Sequence, residues 1–248
     1  MADTNSLPEK TGYSRGLSSS VLKIIAITAM LIDHTAVVMI SPDPSVLRNI
    51  GRIAFPLFAF MIAEGARHTR DIKKYALRLL LFAFISEIPF DMAFGSGFLD
   101  FSKQNVYFTL LAGLVSVYLI RLFKEKKLTY LGIFTTLIIA SAAMLMSTDY
   151  GFTGVIVITL FYVISDYPKS VKCIGYILIT LLTVVVILPR FPYIAIAPTQ
   201  IFAVISAIIL IFYNGQKGFK INRYFFYAFY PGHIIILALI RLIVSYFN

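Results

Sequence analysis

Apolar stretches separated by short polar loops occupy this chain from Val21 to Phe247. A bilayer core about 30 Å thick is crossed by about 20 helical residues at 1.5 Å rise each. The pattern predicts helical spans near residues 21–40, 47–66, 75–95, 105–122, 128–146, 151–165, 171–188, 198–213 and 225–247. The runs at 151–165 and 198–213 are the shortest, and length alone leaves open whether they cross fully. The expected fold is therefore all-α: a polytopic transmembrane bundle of about nine helices.

The first span resembles a signal peptide in position only. It is long, carries Asp33 and His34, and is followed by Ser41-Pro42-Asp43-Pro44 rather than a small-residue cleavage site, so it is expected to be retained. Ahead of it, residues 1–20 are polar and end in Ser18-Ser19-Ser20, which predicts a flexible tail closed by a serine cap. No later loop has room for a soluble domain, and no internal repeat stands out. Residues 21–248 are expected to form one membrane-embedded domain.

Composition agrees with the pattern: 59% hydrophobic against 14% charged residues would leave a soluble globule short of polar surface. The formal charge of +10 raises the question of nucleic acid, but the basic residues recur in short loops rather than forming one patch, which excludes that reading. Their distribution gives orientation instead. With the N-terminus in the cytosol, the inner segments hold Lys10 and Arg15, the Arg67–Lys74 and Arg121–Lys127 stretches, Lys169 with Lys172, and Lys217, Lys220 and Arg223. The outer segments hold only Arg48, Lys103 and Arg190. This obeys the positive-inside rule at every loop pair and sets the N-terminus on the cytosolic side. Cys173 has no partner, so a disulfide framework and a thiolate cluster are excluded. With three histidines and no HExxH-like spacing, no metal site is expected. Oligomeric state is not legible.

An ionisable side chain near the bilayer centre costs at least about 2.5 kcal/mol on insertion scales, so each one kept there needs a partner or a wet cavity. Counted along the helices, His34 lies about 20 Å and Glu87 about 18 Å from the inner face, at levels where they can meet. Asp33 points about 100° away from His34 and is free to serve another helix. Glu87 and Asp91 share a face at i, i+4, with Pro89 between them expected to distort or end the turn. Arg52, Asn105, Asp149 and Gln200 all fall at outer helix ends. His233 sits about 12 Å from the inner face, after Pro231-Gly232, where it can line a cytosolic route. An intramembrane histidine is rare and functional by default, and for His34 a catalytic or ligand role stands against a buried structural hydrogen bond. For Arg52, Glu87 and Asp91 a structural ion-pair network and direct catalysis both fit. Asn105 and Gln200 suit structural hydrogen bonds as well as substrate contacts. The Arg67, Arg70, Lys73 and Lys74 cluster is explained by topology alone, yet it can also hold phosphate, as can Arg78 one turn into the third span.

An ordered series of motifs carries a resemblance across nearly everything after the tail. It includes Asp33-His34, Gly51-Arg52-Ile53-Ala54-Phe55-Pro56, Glu64-Gly65, Arg78, Ser86-Glu87-Ile88-Pro89-Phe90-Asp91, Asn105, Asp149-Tyr150-Gly151, Gln200, Tyr213-Asn214-Gly215 and Tyr230-Pro231-Gly232-His233. In these the chain resembles the TraX family. Its named member acetylates the N-terminus of a conjugative pilin, and the family is similar to membrane acyltransferases that take acetyl groups from cytosolic acetyl-CoA.

The resemblance implies a membrane-bound O- or N-acetyltransferase. Acetyl-CoA is the expected donor, and the acceptor an envelope molecule: a pilin-like N-terminus, a sugar or a lipid. In the implied mechanism His34 is the general base, Glu87 or Asp91 fixes its tautomer, and Asp33 belongs to the same catalytic group. Arg52, Asn105, Gln200 and His233 stabilise the oxyanion or position substrate. Arg78, Arg67, Lys73 and Lys74 hold the phosphates of the donor. Direct transfer and an acetyl-histidine both remain open. The rival readings are a proton-coupled transporter or flippase using the same buried groups, and a structural assembly subunit.

Overall fold

Alanines share the inside of this protein with larger core side chains such as Leu22, Leu57 and Phe161, and large apolar side chains coat the outside as well. Ala26, Ala29, Ala59, Ala63, Ala83 and Ala207 are buried, while Leu77, Phe84, Ile88, Phe134, Ile138 and Leu242 are exposed. An apolar exterior over alanine-rich helix contacts suits a lipid solvent, where close backbone approach and dispersion, rather than burial of apolar surface, hold helices together. The computed structural model describes residues 15–40, 45–95, 100, 102–187, 194–196 and 198–247. The predicted outer charge Arg190, the tail residue Lys10 and the Ser41–Pro44 turn lie outside them.

The helices are α1 (Ser19–Met39), α2 (Ser45–Gly51), α3 (Ala54–His68), α4 (Ile72–Phe94), α5 (Val106–Glu125), α6 (Thr129–Leu145), α7 (Gly151–Ile164), α8 (Lys169–Leu182), α9 (Val204–Ile211) and α10 (Arg223–Phe247). A short 3-10 helix, Pro198–Ala203, leads into α9, and α2 and α3 form one interrupted span. Among the described residues the expected all-α bundle is present. Its one departure is a short antiparallel ladder pairing β1 (Val185–Ile187) with β2 (Ile194–Ile196).

Among the described residues, four helical segments are long and apolar enough to cross a membrane: Ser19–Met39, Val46–His68, Val106–Glu125 and Arg223–Phe247. The segments Thr129–Leu145, Gly151–Ile164 and Thr199–Ile211 are apolar but shorter. Hydrogen bonds and ion pairs sort the connections into two ends. At one end Ser20 Oγ donates to the carbonyls of Lys217 and Phe219, and Arg67 and Lys124 both meet Asp166. At the other, Asp33 meets Arg48 and Arg52, and the Asp149 amide donates to the Gln104 carbonyl. These are the groupings expected for inner and outer segments.

Two local expectations change. Residues 15–20, read as the end of a flexible tail, are tied down: Leu17 N donates to Phe212 O, Asn214 N to Leu17 O and Ser19 N to Gln216 O. The cap serine, Ser18, makes no side-chain capping bond, because the neighbouring backbone amides are already satisfied by the 212–217 segment. Pro89 does not end its helix, and α4 continues to Phe94, where the Gly95 amide closes on Asp91 O. Proline removes one donor, and the surrounding bundle supplies enough packing for the helix to run through it.

Glycine matters where α2 crosses α1. A Cβ at Gly51 would lie 2.3 Å from Asp33 Cβ, so only a residue without a side chain lets the two helices approach. Gly51→Ala is expected to destabilise the protein by about 1–3 kcal/mol through this overlap. Thermal unfolding in detergent checks it, and an unchanged midpoint would exclude the close approach.

Candidate functional site

The bundle interior holds a hydrogen-bonded pair of histidines. His34 Nδ1 on α1 lies 2.7 Å from His233 Nε2 on α10, with the ring centroids 4.9 Å apart and the planes 11° from parallel. His233 Nδ1 lies 2.6 Å from the Phe229 carbonyl oxygen one turn back. Aromatic rings enclose the pair: Phe94 stands edge-on to His34 at 5.1 Å, Tyr230 lies 5.9 Å from each ring, and Phe229 stacks on His233 at 5.0 Å. Helix α10 can bring His233 here because Pro231 is accommodated. The missing proline N–H would have bonded Tyr227 O, and Tyr107 Oη donates to that carbonyl instead, at 2.9 Å.

The expected partner of His34 was a carboxylate on α4, and the structure corrects this. Glu87 bonds Asn105 Nδ2 on α5, and Asp91 Oδ2 accepts from the Asp100 amide at 2.8 Å. Asn105 is the N-cap of α5: its Oδ1 accepts from Tyr107 N at 3.0 Å while Nδ2 also donates to Ala83 O at 2.8 Å. Its donors are engaged, so the expected oxyanion role does not fit its geometry. Arg52 is likewise committed, with Nη2 bonding both Asp33 oxygens at 2.8 and 2.9 Å and Nε donating to Arg48 O at 3.2 Å. Arg48 Nη1 completes the cluster on Asp33 at 3.0 Å. Asp33 thus serves α2, as its angle from His34 on the helix allows, and is not in the histidine pair. Gln200 lies on the 3-10 helix with its Oε1 buried and, among the described residues, without a hydrogen-bond partner.

Counting residues from the inner face placed His34 and His233 about 8 Å apart in depth, yet they touch. Ser20 is pinned level with Lys217 and Phe219, and residues 220–222 are not helical. Extended chain rises about 3.3 Å per residue against 1.5 Å in a helix, so this stretch lifts α10 relative to α1.

A cavity of about 550 Å³ opens at the end that carries the basic loops. That size suits a small-molecule site. Its cations are Lys23, Arg78, Lys217, Lys220 and Arg223, and it runs inward to Tyr107 and Leu110. Lys23 Nζ sits 5.2 Å over the Phe226 ring and the Arg78 guanidinium 5.6 Å over Tyr75; Arg78 Nε is buried and has no hydrogen-bond partner among the described residues. Glu64, also lining it, accepts from Tyr213 Oη at 3.1 Å. Tyr107 at the inner limit packs edge-on to Tyr230 at 5.2 Å, and Tyr230 borders both histidines.

Of the predicted phosphate ligands only Arg78 lines this cavity. Arg67 is turned to the Ser165 carbonyl and Asp166, at 3.1 and 3.0 Å. Lys74 pairs with Asp71, the N-cap of α4, and Lys73 is exposed on the same turn. The bond from the Lys74 amide holds the Asp71 carboxyl below the usual range, so that cap stays charged and keeps Lys74 beside it. Lys23, Lys217, Lys220 and Arg223 went unrecognised because each reads as an interfacial or topology-setting charge.

A second, smaller pocket of about 290 Å³ lies at the opposite end, lined by Phe90, Asp91, Phe94, Asp100, Ser102 and Lys103. Phe94 connects it to the site, since its ring also packs on His34. His34 therefore touches one residue that borders the outer pocket, Phe94, and is linked to the inner cavity only through Tyr230, which packs on Tyr107. Among the described residues no group of His, Cys, Asp and Glu is arranged to hold a metal.

Comparison with known proteins places this architecture. A family model described as "TraX protein" matches residues 18–241. A probable fimbrial assembly protein FimC, serogroup H1, of Dichelobacter nodosus is 33% identical over 241 residues, 89% of this chain and 94% of that relative. No solved structure matches.

Proposed function

The chain belongs to the TraX family, and from that premise we propose that it is an integral-membrane acetyltransferase of the bacterial cytoplasmic membrane. Acetyl-CoA enters the basic cavity from the cytosolic side, and its acyl arm extends past Tyr107 toward His34. An envelope acceptor, for which the fimbrial name of the relative favours a pilin-type N-terminus over a sugar or lipid, approaches from the opposite pocket.

The observation that carries this reading is the position of His34. Its ring is held by another imidazole, not by an ion pair, and it touches Phe94, which borders the outer pocket, and Tyr230, which packs on Tyr107 at the limit of the cation-lined inner cavity. A neutral imidazole in such a place suits proton removal from an attacking hydroxyl or amine. The cations suit a donor that carries several phosphate charges at one end and an uncharged arm at the other.

Binding supplies the test. CoA or acetyl-CoA at 100 times its Kd is expected to stabilise the detergent-purified protein by about 2.7 kcal/mol, read as a raised melting temperature. Arg78→Gln should weaken that binding by roughly tenfold, the equivalent of about 1.4 kcal/mol. Indifference of the melting temperature to both ligands, under conditions where the protein is folded, would count against the transferase and in favour of a transporter or a structural subunit.

A further inference from the structure

We propose that His233 is a positioning residue which fixes the tautomer of His34, leaving His34 Nε2 as the single basic nitrogen of the pair. The catalytic consequence rests on the transferase reading above, whereas the tautomer is a property of the resting protein.

The argument follows the hydrogens. A carbonyl oxygen only accepts, so His233 Nδ1, 2.6 Å from Phe229 O, carries hydrogen and donates. In a neutral His233 the other nitrogen, Nε2, then holds a lone pair and accepts. Its partner at 2.7 Å is His34 Nδ1, which must therefore be the N–H of that ring. A neutral His34 protonated on Nδ1 has its lone pair on Nε2. The direction of the whole chain, from His34 through His233 to Phe229, is set by one backbone oxygen.

The opposite direction requires His233 to be protonated on both nitrogens, and a buried imidazolium needs an anion beside it. The carboxylates near the pair make their bonds elsewhere, with Glu87 Oε1 the one buried carboxylate oxygen left without a partner among the described residues. Asp33 on α1 is bonded by Arg48 and Arg52, Glu87 on α4 by Asn105, and Asp91 by the Asp100 amide. Among the described residues no carboxylate bonds either ring. The charged groups that face His34 from α2 are the cations Arg48 and Arg52, and α10 presents Tyr230, behind which Tyr107 of α5 packs. Both imidazoles are accordingly neutral, and the aromatic slot of Phe94, Phe229 and Tyr230 keeps them from turning.

The arrangement gives a complete proton balance for transfer. An acceptor hydroxyl or neutral amine gives its hydrogen to His34 Nε2 as its oxygen or nitrogen bonds the thioester carbonyl carbon. The carbon–sulfur bond then breaks, and the same hydrogen passes to the leaving thiolate, restoring neutral His34. Between these events the imidazolium shares its Nδ1 hydrogen with His233 Nε2, so that a second ring carries part of the charge.

With three histidines in the whole chain, nitrogen-15 spectra of histidine-labelled protein can be assigned by single replacements. Resting wild-type protein is expected to show His34 hydrogenated on Nδ1 and unprotonated on Nε2. His233→Ala should lower kcat by about 100-fold, with KM for acetyl-CoA changed less than about twofold. His233→Gln, whose side-chain carbonyl can accept from His34 Nδ1, should keep the wild-type tautomer and recover at least about tenfold of that loss. A His34 ring hydrogenated on Nε2 in the wild-type protein would overturn the proposal without any assay, and so would a His233→Ala variant with unaltered kcat. If the tautomer is as stated but acetyl-CoA is neither bound nor consumed, the positioning claim stands and the transferase reading fails.

Discussion

Replacing His34 by alanine is expected to lower acetyl transfer by at least about 100-fold, the usual contribution of a positioned general base. The same variant should still bind CoA, because the cations of the basic cavity lie away from the ring: Lys23 and Arg78 pack on Phe226 and Tyr75. The fold should also survive. The outer pocket lies next to Phe94, which packs on His34, and a water entering the vacated volume can replace the bond to His233 Nε2, so stability should fall by no more than about 1–3 kcal/mol. Labelled acetyl-CoA, with product followed by mass, reads turnover; a CoA-dependent melting shift reads binding on the same sample. Turnover equal to wild type would remove His34 from the chemistry. Loss of both turnover and the CoA shift would indicate collapse of the site instead, and the histidine would then be structural.

Removing the Asp33 carboxylate should cost the most stability. Asp33→Ala strips the anion from between Arg48 and Arg52, whose side chains are 36% and 11% exposed, with Asp33 itself at 13%. Breaking a mostly buried pair by deleting one partner typically costs about 3–5 kcal/mol, because the remaining charge is left in a poor solvent. The Coulombic attraction alone does not explain the size of that effect. A double replacement, Asp33→Leu with Arg52→Leu, removes both charges and should be less destabilised than Asp33→Ala. Urea or thermal unfolding in one detergent compares them directly. A single variant as stable as wild type would show that α1 and α2 are held by packing at Gly51 and not by the ion pair. Because Asp33 adjoins His34, loss of the pair should also reduce turnover by shifting α1, with CoA binding little changed.

The spans were readable because lipid solvation is a local property of about 20 consecutive residues, and the stretches at 21–40, 105–122 and 225–247 match α1, α5 and α10 to within a few positions. Sidedness was readable for the same reason: Arg67, Lys124 and Lys217 gather at one end because loops must alternate. His34 stood out on residue type alone, since a titratable ring in a span needs a reason. Its partner did not. Glu87 lies at a suitable depth, but contact also requires the right rotation of each helix, and a helix turns 100° per residue. Asn105, only 18 positions from Glu87, captures that carboxylate, while His233 reaches His34 from 199 positions away.

The chain's own sequence therefore determined a lipid-embedded helical bundle, its two ends, its family and the rarity of the histidine at its centre. Only the tertiary structure decided which groups share the histidine's hydrogen bond, that Asp33 belongs to Arg48 and Arg52, and that Lys23 and Arg78 face one cavity with the cations of the 217–223 segment. Hydropathy and charge act through the neighbourhood of each residue along the chain. The pairing of side chains depends on the offset, tilt and rotation of whole helices, which are fixed by packing and by non-helical connections such as residues 220–222.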